Sequence, residues 1–213
     1  MIEVKTFVFS PFSENTYVAW EKESRQAAII DPGCFSTLEE QELKKYILDQ
    51  DISVKYLINT HCHLDHIFGN NFVWAEFKPQ YYIPERDRSL MLNAPTQARL
   101  FGLDMEEVKV AKDFLSEEKN LFLGEEEMEF LFTPGHTSGE FCIYFMGSSI
   151  CFTGDVLFQN SIGRTDLLGG DYQTLINSIR NKLFTLPPDT KIYPGHGNSS
   201  TIGEEMQFNP FFH

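Results

Sequence analysis

No stretch of the 213-residue chain approaches the length and apolarity of a membrane span, and residues 1–7 show no basic segment leading into an apolar run. A chain without either feature is expected to be cytoplasmic. Basic residues are also scarce, with 17 Lys and Arg against 31 Asp and Glu for a net charge of −14. Nucleic acids and anionic membrane surfaces both demand a basic footprint, so neither is an expected partner. An anionic small molecule stays open, because bound metal ions dominate the field in their own cleft. Cysteine is sparse. Cys34, Cys62, Cys142 and Cys151 lack C-x-x-C spacing, and a chain of this size does not need disulfide staples, so free thiols are expected. No linker or low-complexity run divides the sequence, which predicts a single domain over residues 1–213.

Histidine is scarce too, and here scarcity is informative. The chain holds six, and three of them fall in His61-Cys62-His63-Leu64-Asp65-His66. In an extended segment alternate side chains share a face, so His61, His63 and Asp65 point one way and Cys62 packs the other. Once the backbone turns past Asp65, His66 approaches the same cavity from another side. That leaves one pair of ligands for each of two neighbouring cations.

Around this motif the strand and helix signals alternate, as in α/β proteins. Residues 2–10 and 16–20 read as a hairpin, and residues 27–30 as a strand closed by Asp31-Pro32-Gly33. A helix capped by Ser36 or Thr37 follows, with Leu38, Leu43, Tyr46, Ile47 and Leu48 as its apolar face. Residues 54–58 form a strand that runs into the histidine motif, residues 69–77 a helix, and residues 81–83 another strand. Residues 84–120 mix charge with Met91, Leu92, Leu100, Phe101 and Met105 and are interrupted by Pro95 and Gly102; they predict a helical insertion, either packing elaboration or a lid. Strands return at 128–133, 141–146, 150–153 and 191–193, with a helix over 172–184.

Short strands lead into His61, His136, Asp155 and His196, and a glycine immediately precedes each of the last three. Glycine permits the backbone departure that turns a strand's last side chain into a cleft, and ligand sites gather at strand ends. The candidate ligands are therefore His61, His63 and His136 on one ion and Asp65, His66 and His196 on the other, with Asp155 bridging. Imidazole and carboxylate suit zinc, the expected metal, and also iron or manganese. Two such ions share a water and bring its pKa to near neutrality. Hydrolysis is the expected chemistry, with Asp65 as the catalytic carboxylate that orients the nucleophile. Thr60, Thr133 and Thr153 adjoin these positions and are read as ordinary strand residues.

Together with Thr133-Pro134-Gly135-His136-Thr137, Phe152-Thr153-Gly154-Asp155 and Tyr193-Pro194-Gly195-His196-Gly197, the histidine motif resembles the metallo-β-lactamase fold superfamily. The resemblance covers nearly the whole chain. It implies an αβ/βα four-layer sandwich, with two sheets face to face, helices outside and metals at one edge. Asp155 sets the chain apart from the true β-lactamases, which generally lack an aspartate there. Ser161-Ile162-Gly163-Arg164-Thr165-Asp166 is similar to the glyoxalase II branch, the hydroxyacylglutathione thioesterases. That implies hydrolysis of a small acyl thioester such as S-lactoylglutathione, with Arg164 contacting substrate or paired with Asp166 or Asp171. Persulfide dioxygenases share the fold and the Gly-Arg-Thr-Asp sequence. Their resemblance implies the alternative of one iron held by His61, His136 and Asp155.

Overall fold

The structure, a computed structural model, describes all of residues 1–213. Strands β1 (Ile2–Phe9) and β2 (Glu14–Glu21) form an antiparallel hairpin in register from Ile2 opposite Glu21 to Phe9 opposite Glu14. β3 (Gln26–Ile30) continues it antiparallel, and β4 (Ser53–Ile58), β5 (Gln80–Ile83) and β6 (Asp113–Phe114) then add in parallel, so this six-stranded sheet follows chain order. Parallel neighbours require crossovers. They are α1 (Thr37–Asp49), α2 (Asn70–Phe77) and α3 (Arg88–Leu100). A capping box between Ser36 and Glu39 starts α1.

The second six-stranded sheet begins as a meander of β7 (Leu121–Leu123), β8 (Glu126–Phe132), β9 (Phe141–Phe145) and β10 (Ile150–Gly154). A small hairpin, β11 (Leu157–Phe158) with β12 (Ser161–Ile162), and helix α4 (Tyr172–Ser178) precede β13 (Lys191–Pro194), which pairs parallel to β10. β14 (Ser200–Thr201) closes the edge, and α5 (Ile202–Phe208) follows.

Alternation along the strands sorts the core into three sheets of apolar contact. Ile29 and Leu57 face a cluster of 22 buried residues that includes Leu43, Val73 and Met91 from α1, α2 and α3. Ala28, Ile30 and Ile58 face the other way, into 18 buried residues shared with Phe130, Ile143 and Phe152 of the second sheet. Cys142, Cys151 and Ile192 then meet Leu175 and Ile176 of α4 in a third cluster of 12. The result is the four-layer αβ/βα sandwich. No helix is long and apolar enough to cross a membrane.

Three local expectations need correction. Leu38 and Leu48 are 83% and 63% exposed, and α1 buries Leu43 and Ile47 instead. Positions five apart from Leu43 lie about 140° round the helix axis, which carries them off its buried stripe. Pro95 does not interrupt α3, which runs through it with Leu90, Met91, Ala94 and Ala98 buried. That burial outweighs the loss of one backbone hydrogen bond. The helix predicted over 172–184 changes form after Ser178, where Ile179–Leu183 make a π-helical turn closed by Phe184 N donating to Ile179 O at 2.9 Å.

The two sheets are tied together beside the end of β13. Tyr17 Oη donates to Pro194 O at 2.6 Å, and Asn15 Nδ2 donates to Pro194 O and Gly197 O at 2.9 Å each. His196 is therefore positioned by both sheets.

Candidate metal centre

β4 ends at Ile58, and the chain runs on through His63 into a single 3-10 turn over Leu64–His66. His61, His63 and His136 each offer a ligand atom, all within 4.8 Å of one another, and Asp65, His66 and His196 form a second such group. The rings of His61 and His66 lie 4.0 Å apart between centroids, so the groups adjoin. Asp155 stands between them. Its Oδ1 is 3.5 Å from His66 Nε2, and its Oδ2 is 3.6 Å from His136 Nε2 and 3.7 Å from His196 Nε2. All seven candidate ligands thus lie close together, in two adjoining groups with Asp155 between them.

The paired Pro-Gly-His tripeptides need glycine for different reasons. At Gly195 a Cβ would lie 2.3 Å from Asp155 Oδ1 and 2.6 Å from His66 Cε1, inside the cavity itself. Gly135 has φ +135°, and a Cβ there would meet the Leu175 backbone N at 2.3 Å.

A cation fits this arrangement on its polar bookkeeping. His61 Nε2, His66 Nε2 and Asp155 Oδ1 are buried with no hydrogen-bond partner. An unpaired buried polar atom costs about 1–3 kcal/mol, and these converge where an ion would accept their lone pairs. Burial holds His61 and His136 below the usual histidine range and, with His136 beside it, pushes His63 down to about 4. Neutral imidazole is the form that binds metal. Burial opposes the charged form of His66 as well, but Asp155 and Asp65 outweigh it and raise that pKa well above the usual value.

The far side of four of the five rings is held too. His61 Nδ1 lies 3.1 Å from Thr60 Oγ1 and 3.4 Å from Glu140 Oε1, and His66 Nδ1 lies 3.1 Å from Asp31 Oδ2. His136 Nδ1 is 2.8 Å from Arg164 O, and His196 Nδ1 is 3.3 Å from Ser13 O. Such contacts fix ring orientation and ligand basicity. Asp31 also accepts from Thr60 N at 2.7 Å and Thr60 Oγ1 at 2.6 Å, and Glu140 accepts from Asp155 N at 2.7 Å. Glu14, fully buried, accepts from Thr16 Oγ1 at 2.9 Å and stands 3.9 Å from His66 Nδ1. Sequence reading missed these carboxylates. Asp31 had a signal, since it ends a strand beside Pro and Gly just as the candidate ligands do; Glu140 and Glu14 had none. Thr60 is no ordinary strand residue. Thr153 and Thr133 do bond only locally, to Leu157 O and to Leu131 O and Cys142 Sγ. All four cysteines are buried free thiols.

Asp87, at the start of α3, accepts from Thr137 Oγ1 at 2.7 Å, beside His136, while its Oδ1 is buried without a hydrogen-bond partner. Burial pushes its carboxyl up to about 6 against the pull of the Thr137 hydrogen bond. The unfolded value is about 3.9, so the folded state binds this proton more tightly, and the associated stability is present below pH 4 and lost as pH rises through 6. The gap corresponds to roughly 3 kcal/mol. Urea unfolding is expected to show Asp87→Asn gaining by about that amount on the wild type between pH 4 and pH 7. A difference that does not move with pH would contradict the assignment.

A cleft of about 600 Å³ opens over His63, Asp65, His136, Asp155 and His196, and Leu90, Gln97, Leu100 and Phe101 of the 84–120 segment form one side of it. Arg164 also reaches the cleft, but its Nε and Nη2 donate to Asp166 at 2.8 Å each, a forked ion pair between residues two apart.

A profile of the metallo-beta-lactamase superfamily matches residues 10–196. Hydroxyacylglutathione hydrolase GloC of Haemophilus influenzae is 37% identical over 212 residues, spanning 99% of this chain and 98% of that protein. A probable metallo-hydrolase of Bacillus subtilis, YqgX, is 32% identical over 203 residues, spanning 94% and 93%. Of solved structures, the B3 metallo-beta-lactamase BLEG-1 superposes with a TM-score of 0.90 at 35% identity over 99% of both chains. TTHA1623 in a di-iron-bound form gives 0.86 at 29% identity over 97% of this chain and 99% of that one.

Proposed function

The chain belongs to the metallo-beta-lactamase superfamily, and from that membership we propose that this metallo-hydrolase cleaves acyl thioesters, S-lactoylglutathione among them, with two divalent ions. The observation that carries the reading is the pair of adjoining ligand groups with Asp155 between them and unpaired buried atoms aimed inward. His61, His63 and His136 would hold one ion and Asp65, His66 and His196 the other, with one Asp155 oxygen toward each. Zinc is the proposed metal. Iron is the rival, since the TTHA1623 structure is described as di-iron.

When bound, such a pair of ions polarises the carbonyl and makes water acidic enough to ionise near pH 7. The chain's own part is orientation and proton handling. Asp65 is partly open to the cleft, and its Oδ2 lies 3.3 Å from His196 Nε2. From there it can hold the attacking water's proton and orient its lone pair. Arg164 keeps Nη1 free of Asp166 and is the proposed contact for a polar substrate group. The name of the Haemophilus relative supports the thioester. A cytoplasmic location belongs to the same proposal and agrees with the buried free thiols.

A mononuclear-iron dioxygenase would use His61, His136 and Asp155 and leave Asp65, His66 and His196 converging without a role. Lactam hydrolysis has the BLEG-1 likeness in its favour. One experiment separates the three. Protein reconstituted with zinc, iron or manganese is offered S-lactoylglutathione, a chromogenic cephalosporin, or glutathione persulfide with an oxygen electrode. Metal-dependent loss of the thioester should dominate. Faster cephalosporin turnover, or oxygen uptake without thioester loss, would replace this reading.

A further inference from the structure

The cleft over the metal centre is more apolar than a glutathione conjugate requires. Of its 15 lining residues 8 are hydrophobic, and Arg164 is the one Lys or Arg among them. That guanidinium is already forked onto Asp166, so the pair presents little net charge to an incoming anion. Glutathione carries two carboxylates and an ammonium, and recognition of such groups calls for free, convergent charged partners.

Several of the apolar lining side chains are open to solvent. Leu100 and Phe101, where α3 ends, are 82% and 60% exposed, and Leu168, from the loop before α4, is 82% exposed. Phe12 and Phe158 line the same cleft. Phe101 is seated rather than loose, with its ring edge-on to Phe12 at 5.5 Å and 88°. Large apolar residues in contiguous exposure mark a binding surface. His63, Asp65 and His136 line the same cleft, and the volume of about 600 Å³ suits a small molecule. An occupant bonded to the reacting carbonyl would therefore lie along the apolar side chains.

We propose that the favoured substrates are thioesters carrying an aliphatic or aromatic chain, which the Leu100, Phe101 and Leu168 walls cover. This rests on the thioester reading and names the substrate class within it. The chain could belong to the acyl half or to the thiol half, because either can extend from the scissile bond.

Each buried methylene contributes about fourfold to binding in the transition state. Hexanoyl, four methylenes longer than acetyl, gains about 15-fold if half of them are covered. One series therefore holds glutathione constant and lengthens the acyl group from acetyl through butanoyl to hexanoyl. A second holds lactoyl constant and replaces glutathione with uncharged alkanethiols of increasing length. A rise of kcat/KM along the first series places the chain in the acyl half, and a rise along the second places it in the thiol half. Flat profiles in both overturn the inference while leaving the hydrolase reading intact.

If no thioester is turned over, the thioester reading fails, and calorimetry on the metal-loaded protein decides separately whether the walls take an apolar chain. Hexanoate should bind at least tenfold more tightly than acetate. Equal affinities overturn it, and a dimer lost in Leu168→Asn would then reassign the wall to contact with a second copy. Leu100→Asn and Leu168→Asn, both at exposed positions that folding tolerates, should lower at least threefold the long-to-short kcat/KM ratio of whichever series rises. An unchanged ratio in both variants also refutes the proposal.

Discussion

Asp155→Ala is expected to lower kcat/KM for a thioester substrate by about three orders of magnitude and to reduce bound metal from two ions to one or none. Asp155 is the one carboxylate whose separate oxygens face histidines of both ligand groups, His66 on one side and His136 on the other. Burial disfavours its charge, yet His66, His136 and His196 hold its pKa well below the usual carboxylate range, so it is an anion at any pH at which the enzyme would work. Removing it leaves the imidazoles of both groups without the charge that draws two cations together. An ion lost from such a site forfeits several kcal/mol of transition-state stabilisation, and each 1.4 kcal/mol or so is tenfold in rate. Asp155→Asn keeps the shape and one carbonyl oxygen but not the charge. It should retain more metal than alanine and still lose most of the rate. Metal content by plasma mass spectrometry beside steady-state kinetics reads both effects. Two tightly held ions with less than a tenfold loss of rate would remove Asp155 from the centre.

The second large effect is expected at a residue that binds no metal in this scheme. Asp31 is buried and accepts from the backbone and the hydroxyl of Thr60 while facing His66 Nδ1. Its backbone sits at φ +49°, a left-handed conformation that Asp and Asn tolerate and alanine resists by about 1–2 kcal/mol. Asp31→Ala leaves the Thr60 donors unpaired, at about 1–3 kcal/mol for each buried group. A total of roughly 3–8 kcal/mol lost should appear in urea unfolding. His66 also loses the contact that fixes its ring, a loss that typically lowers metal affinity 10–100-fold, measurable by competition with a chromophoric chelator. Asp31→Asn separates the two. It keeps the backbone conformation and one acceptor, so most of the stability should return while metal affinity stays reduced. Full affinity in both variants would make Asp31 a purely structural residue.

The same contrast shows which features a linear reading can reach. The histidine motif stood out because imidazole is rare and clustered at a strand end, and the remaining candidate ligands repeated that placement beside glycine. Asp31 shares that placement beside Pro and Gly, but Glu140 and Glu14 carry no such mark. Only the folded chain shows that each of the three is buried against an imidazole. The face of α1 was misjudged at Leu38 and Leu48 for a related reason. An apolar residue adjacent to a buried stripe reads like part of it until the neighbouring layer is known.

From the sequence alone came the superfamily, the nine longest strands, the crossover helices α1 and α2, and the candidate ligands, because residue type and period are local properties that survive without coordinates. The pairing of the ligands with their buried carboxylates, the forked engagement of Arg164 by Asp166 and the apolar walls contributed by Leu100, Phe101 and Leu168 were decided by the tertiary structure. Each depends on which surfaces meet once the chain is folded, as between His61 and Glu140, which are 79 positions apart. Burial and direction, not composition, set the chemistry there.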